Sequence, residues 1–249
     1  MELNKIYLGD CLELLPEIKD KSIDMVLTDL PYGLVSCEWD CIIPIDKMWK
    51  ELYRVCKDTA AMVFTASQPF TSKLVMSNIK DFRHEWIWQK NRGSNFANTV
   101  REPMKEHESI LVFSKGGWTY NKQMQERAEL GKARANYKVK FASKSENYRV
   151  FEGRDAQNLS ELRVPSSIQK FNVETGLHPT QKPVALFEYM IKTYSNEGDT
   201  VLDITAGSCT TMVAAYNLKR NFICIEKEKK YYEIGLERLK QLKMKKRLI

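Results

Sequence analysis

Val201-Leu202-Asp203-Ile204-Thr205-Ala206-Gly207-Ser208-Cys209-Thr210-Thr211 decides the fold class. An apolar strand ends at an aspartate, a turn of small residues follows, and a helix begins. In an open α/β sheet, the carboxyl end of such a strand is where ligands bind. Gly207 lets the backbone pass close to a bound molecule, and the helix start offers free N–H groups to an anionic group. The next apolar run, Asn221–Ile225, ends at Glu226, about 20 residues past the turn, where an acidic side chain can accept hydrogen bonds from both ribose hydroxyls. The two runs together describe a nucleoside-cofactor pocket. An ordinary strand–turn–helix is the competing reading.

Other short apolar runs suited to buried strands are Ile6–Leu8, Ile23–Leu27, Ala60–Thr65, Trp86–Trp88 and Ser109–Phe113. With Val201–Ile204 and Asn221–Ile225 they predict a seven-stranded sheet. Helical patterns lie between several of them. Pro44–Lys57 places Ile45, Met48, Trp49, Leu52, Tyr53 and Cys56 on one face, and Pro183–Tyr194 carries Leu186, Phe187, Met190 and Ile191. Cys209–Lys219 and Lys229–Lys243 complete the set. Alternating strands and helices imply an α/β fold with a mostly parallel sheet flanked by helices. Lys115–Asn172 breaks this rhythm: it is polar, basic and without a strong period, too long for an ordinary connection. The expectation is one domain over residues 1–249 with residues 115–172 inserted in it.

The net charge of +7 is unevenly spread. Ser114–Phe171 holds 12 Lys/Arg against 6 Asp/Glu, and Lys227–Arg247 holds 9 against 3. Two basic regions on an acidic remainder suit a polyanion, because clustered cations neutralise phosphates. For the tail, a solvated basic helix face explains the charge as well. No apolar run is long enough to span a membrane and the amino terminus lacks an apolar signal region, so the expected location is cytoplasmic. The six cysteines form no Cys-x-x-Cys pair, and the three histidines lie away from Cys37 and Cys41, so free thiols and no metal are expected.

Two further segments carry chemistry. Thr28-Asp29-Leu30-Pro31-Tyr32-Gly33 directly follows the run Ile23–Leu27, placing a carboxylate, a rigid turn and an aromatic at a strand's carboxyl end. The lone pair of an aromatic amine is delocalised into its ring. Two acceptors on its two N–H groups would hold it nearer tetrahedral and aim the lone pair; Asp29 and a backbone carbonyl of the turn could supply them. Tyr32 could stack on the base. A plain turn is the alternative. His178-Pro179-Thr180-Gln181-Lys182-Pro183 is a polar run bracketed by prolines just ahead of the cofactor turn.

In this order the three segments resemble the β class of amino-methylating DNA methyltransferases, whose catalytic Asp-Pro-Pro-Tyr motif precedes the target-recognition region, the His-Pro-Thr-Gln-Lys-Pro box and the cofactor motif. The resemblance implies a Rossmann-like seven-stranded sheet with a circularly permuted motif order. The similarity includes Gly9-Asp10-Cys11, Ser67-Gln68-Pro69-Phe70, Trp86-Ile87-Trp88-Gln89-Lys90 and Arg220-Asn221-Phe222, and so runs over nearly the whole chain. It looks closest to small phage and mobile-element members. The resemblance implies S-adenosylmethionine as cofactor, DNA as partner, no membrane, and restriction–modification as the setting; a homodimer is compatible with it. Asp29 and the carbonyl of Leu30, in the turn completed by Pro31, would bind the target amine, and Tyr32 would stack on the base. Asp10, Cys11, Asp203, Ala206, Gly207, Ser208, Thr210 and Glu226 would form the cofactor pocket with Asp29, and Thr180, Lys182 and Pro183 would close over it. Lys132, Arg134, Lys138 and Lys140 of the insert would meet DNA phosphates.

Two positions depart from the family. Leu30 stands where proline is usual, which keeps the carbonyl and loses ring rigidity. Cys209 stands where glycine is usual, so a left-handed backbone there would be strained and the side chain could crowd the cofactor. Asp29, rather than serine, favours N6 of adenine by family habit. N4 of cytosine, glutamine of a protein, and a catalytically dead DNA-binding homologue are the alternatives.

Overall fold

Alternation of apolar residues builds the molecule's two-faced sheet. The computed structural model describes residues 1–33, 42–129, 132 and 161–247. Its strands are β1 (Lys5–Leu8), β2 (Ile23–Asp29), β3 (Cys56–Ala66), β4 (Phe82–Ser94), β5 (Lys105–Phe113), β6 (Gln125–Glu126), β7 (Leu162–Arg163), β8 (Ile168–Phe171), β9 (Thr200–Asp203) and β10 (Asn221–Glu226). Its α-helices are α1 (Cys11–Leu14), α2 (Ile45–Val55), α3 (Phe70–Ser77), α4 (Val184–Tyr194), α5 (Thr210–Asn217) and α6 (Lys229–Arg247). The main sheet runs β1-β10-β9-β2-β3-β5-β4-β8. Only β5 is antiparallel to its neighbours.

All seven expected strands are in this sheet. The eighth, β8, falls inside the stretch read as an insert; its four residues pair parallel to β4 at the sheet edge. Its Ile168-Gln169-Lys170-Phe171 carries too little apolar character to signal a strand, because an edge strand need bury only part of itself. Lys122–Ser166 forms a separate compact unit, described by the short antiparallel pair β6–β7. Met1–Asn121 and Ser167–Ile249 form the other unit.

Side chains leave β2, β3, β9 and β10 alternately to two cores. Met25, Leu27, Val63, Val201 and Phe222 join α4 and α5 on one face; Val26, Met62, Phe64, Leu202 and Ile223 join α1 and α2 on the other. Helix α2 buries Met48, Trp49 and Leu52 of the expected stripe together with Val55, which was not part of it; Ile45 and Tyr53 are partly buried, and the helix ends where Cys56 enters β3. The neighbours β9 and β2 are where strand order reverses: β10 and β1 continue to one side, β3 to the other. A crevice opens there, beyond the strands' carboxyl ends.

A candidate active site at the strand reversal

The crevice has a volume of about 370 Å³. Asp10, Cys11, Asp29, Leu30, Pro31, Tyr32, Thr180, Lys182, Asp203, Ala206, Gly207, Ser208, Thr210 and Glu226 all line it. Pro183 instead caps the start of α4. The fold thus gathers residues more than 200 positions apart onto one sheet edge.

Parallel pairing of β2 with β9 sets Asp29 beside the turn after Asp203, and Thr205 Oγ1 donates to the Asp29 carbonyl at 2.9 Å. The Asp29 carboxylate accepts three side-chain hydrogen bonds. Tyr32 OH donates to Oδ1 at 2.7 Å, Thr65 Oγ1 donates to the same oxygen, and Lys182 Nζ lies 2.5 Å from Oδ2. Lys182 is buried, and Glu108 Oε2 is its second carboxylate partner at 3.5 Å. Glu108 in turn pairs with Lys90 at 2.6 Å. Charge therefore alternates along Lys90, Glu108, Lys182 and Asp29. Burial alone would lower the Lys182 pKa; Asp29 and Glu108 outweigh it and hold it above the ordinary lysine value. Tyr32 stacks on Phe70 with ring centres 5.3 Å apart. Burial raises its phenol well above the usual value, which keeps it a donor to Asp29.

Leu30 answers the loss of the proline ring differently from expectation. Its side chain is 4% exposed and joins the core on the α2 face, so packing anchors the turn.

On the cofactor side, Asp203 is 2% exposed and braces the turn. Thr28 Oγ1 donates to it at 2.7 Å, Thr211 Oγ1 at 2.5 Å and the Thr205 N–H at 3.1 Å. Burial lifts its pKa to about 6 against these bonds. Glu226 accepts the N–H groups of Gly207 at 2.6 Å and Glu228 at 2.7 Å, one on each oxygen. Burial raises it to about 7. Each oxygen keeps acceptor capacity for a ligand hydroxyl. Asp10 caps α1 through the Leu12 N–H at 2.9 Å. These strand-end carboxylates, with Gly207 at φ +52° bringing backbone to the cleft wall, suit a ribose and an adenine edge.

Cys209 has φ 59° and ψ 44°, the left-handed conformation expected of glycine. Its side chain does not crowd the cleft. It is fully buried on the far side of the turn, against Gly235 of α6 and beside Ile6.

Of the proposed phosphate contacts, Lys132 pairs with Glu129 at 3.0 Å. Arg134, Lys138 and Lys140 lie outside the described residues, as do Cys37 and Cys41. Among the described residues no His/Cys/Asp/Glu group is arranged to hold a metal, and no helix is long and apolar enough to cross a membrane.

Thr65, Glu108, Lys90 and Phe70 were not singled out individually from the sequence. Glu108 opens the apolar run Ser109–Phe113, and a carboxylate at the edge of a buried strand was the available signal. His178, the first residue of the proline-bracketed run, packs against Tyr231 with ring centres 4.1 Å apart and lines the cleft.

A cofactor cleft at the strand reversal beside a braced Asp-Leu-Pro-Tyr turn defines a Rossmann-like amino-methyltransferase site. The chain belongs to the N6/N4 DNA methylase family, whose model matches residues 23–237. It is 30% identical to the DNA adenine methyltransferase YhdJ of Escherichia coli (strain K12), over 96% of this chain and 83% of that protein. It is 28% identical to the type II methyltransferase M.HpaI of Haemophilus parainfluenzae, over 94% of this chain and 74% of that one. The crystal structure of the M1.HpyAVI–SAM complex shares 27% identity at a TM-score of 0.63, covering 94% of this chain and 98% of that one. The cytosine-N4-specific PvuII DNA methyltransferase, at 16% identity and a TM-score of 0.65, shares the fold.

Proposed function

We propose that this chain transfers a methyl group from S-adenosylmethionine to the exocyclic N6 of an adenine flipped out of DNA. The observation that carries this is Asp29, held by Tyr32, Thr65 and Lys182 at the mouth of the cleft that Glu226 closes on its cofactor side. When bound, S-adenosylmethionine supplies an electrophilic methyl on sulfur. Asp29 has about four acceptor positions and uses three on its own side chains, which leaves one for an amine N–H. The Leu30 carbonyl takes the second N–H, and the lone pair then points across the cleft. Tyr32, supported by Phe70, lines the base side. Glu226 binds the ribose, and Asp10 and Cys11 border the adenine end.

Adenine is favoured over cytosine because the more similar curated relatives include an adenine methyltransferase and position 29 is aspartate. The unit Lys122–Ser166, with its excess of basic residues, is the proposed target-recognition region. The same reading places the enzyme in the cytoplasm, with DNA. Sequencing of host DNA for modified bases after expression tests it. N6-methyladenine at one recurring sequence is expected; N4-methylcytosine would shift the assignment, and unmodified DNA would remove it.

A further inference from the structure

Strands β4 and β5 form a hairpin that overshoots the rest of the sheet. Across the sheet, Asp29 is level with Thr65, and Thr65 with Ile110. From Ile110, β5 continues back to Lys105, about five residues or roughly 17 Å beyond the level of the reactive carboxylate. The tip thus projects from the same edge as the active-site cleft.

The tip is held by its own hydrogen bonds and exposes apolar side chains among polar ones. Asn95 takes a left-handed conformation, φ 67°, and starts a 3-10 turn over Phe96–Asn98. Asn98 Nδ2 donates to Asn95 Oδ1 at 2.8 Å, Asn95 Nδ2 to Glu102 Oε1 at 2.5 Å, and the Arg101 N–H to the Asn98 carbonyl at 2.9 Å. Gly93 gives room for Met104 to cross the hairpin, since a Cβ there would lie 2.8 Å from Met104 Cε. This frame holds Phe96 80% exposed and Val100 92% exposed. Arg92, Arg101 and Lys105 are exposed beside them and make no ion pair among the described residues. Of the nearby carboxylates Glu106 is exposed and Glu102 is occupied by Asn95.

We infer that this tip is a DNA wedge: Phe96 and Val100 enter the duplex next to the target base while Arg92 and Arg101 hold the flanking phosphates. Apolar side chains inserted between base steps are an established way to unstack a duplex, and cations beside them neutralise backbone charge. Exposed apolar side chains on a hydrogen-bonded tip at the edge of the cleft offer a wedge that can help meet the unstacking cost of base flipping. The inference rests on the methyl-transfer reading above.

Its test begins with wild-type enzyme and the methylated site located by sequencing. Two duplexes carrying that site are compared, one fully paired and one with an abasic residue opposite the target base, where extrusion is easier. Phe96→Ala is expected to lower kcat/KM at least tenfold on the paired duplex and less than threefold on the abasic one. Arg92→Gln with Arg101→Gln should weaken duplex binding and reduce the slope of log affinity against log salt by nearly two, with S-adenosylmethionine affinity unchanged. Equal losses on both duplexes, no loss on the paired one, or a change of oligomeric state without a change in methylation would each overturn the wedge. Wild-type enzyme inactive on both duplexes would overturn the underlying reading instead.

Discussion

Cys209 and Gly235 share one space: a Cβ added to Gly235 would overlap the Cys209 sulfur. The strained left-handed turn beside the cofactor cleft is therefore matched by a missing side chain on α6. Gly235→Ala alone should destabilise the protein by about 1–3 kcal/mol through overpacking. Cys209→Gly alone relieves about 1 kcal/mol of backbone strain but opens a gap of similar cost, so stability should change little and cofactor affinity should hold. The double variant restores the packing and gains helix propensity, about 0.5–1 kcal/mol at position 235. Denaturant unfolding of all four proteins checks this; a double variant less stable than Gly235→Ala would refute the shared-space account.

Asp29→Ala should abolish methyl transfer while leaving S-adenosylmethionine affinity within about threefold, because the proposed role of its carboxylate is toward the target amine. Loss of one preorganised acceptor costs about 10²–10³ in rate. Single-turnover assays with parallel calorimetry separate the two effects. Turnover above about a tenth of wild type would contradict the assignment.

Glu108→Gln should act through Lys182. Glu108 and Asp29 together hold the ammonium above its ordinary value against burial. Because the folded value is raised, this contribution to stability is present below the ordinary lysine pKa and lost as pH rises through the folded one. Neutralising Glu108 lets burial weigh more, so the alkaline limb of the kcat profile should move to lower pH. A profile that only falls in height would make Glu108 a packing residue.

Glu226 titrates near 7 because burial disfavours its charge. Its raised value stabilises the folded chain below about pH 4.5, and that contribution is lost as pH rises through 7. Ribose hydroxyls donate to the ionised form, so cofactor affinity should be about tenfold weaker at pH 6 than at pH 8. Glu226→Ala should weaken binding by about 10–100-fold and erase that dependence. Calorimetry at both pH values reads each effect, and a pH-independent wild-type affinity would count against the ribose contact.

Neutralising Lys132, Arg134, Lys138 and Lys140 together should weaken DNA binding and flatten its salt dependence, with cofactor affinity unchanged. Exchanging residues 115–172 for a relative's segment should redirect the methylated site. An active chimera that still modifies the original site would move recognition elsewhere.

By itself the sequence determined the seven principal strands, the helical stripes and the order of the three motifs. Those signals are local: the apolar run Val201–Ile204 and the spacing in α2 follow from burial and backbone period, which act within a few residues. The family resemblance also marked position 209 as one where glycine is usual. Only the tertiary structure decided where the cysteine's thiol goes, because Gly235 lies 26 positions away along the chain. Likewise Lys182 falls in the box read as covering the cofactor, yet its ammonium reaches Asp29, 153 positions earlier. Thr65 reaches that carboxylate, and Glu108 reaches Lys182, only because β3 pairs with β2 and β5 with β3. Leu30 kept its turn rigid through core packing instead of a ring. Partners chosen by sheet order have no fixed spacing in sequence, so the bracing of the Asp29 carboxylate was decided by the assembled sheet.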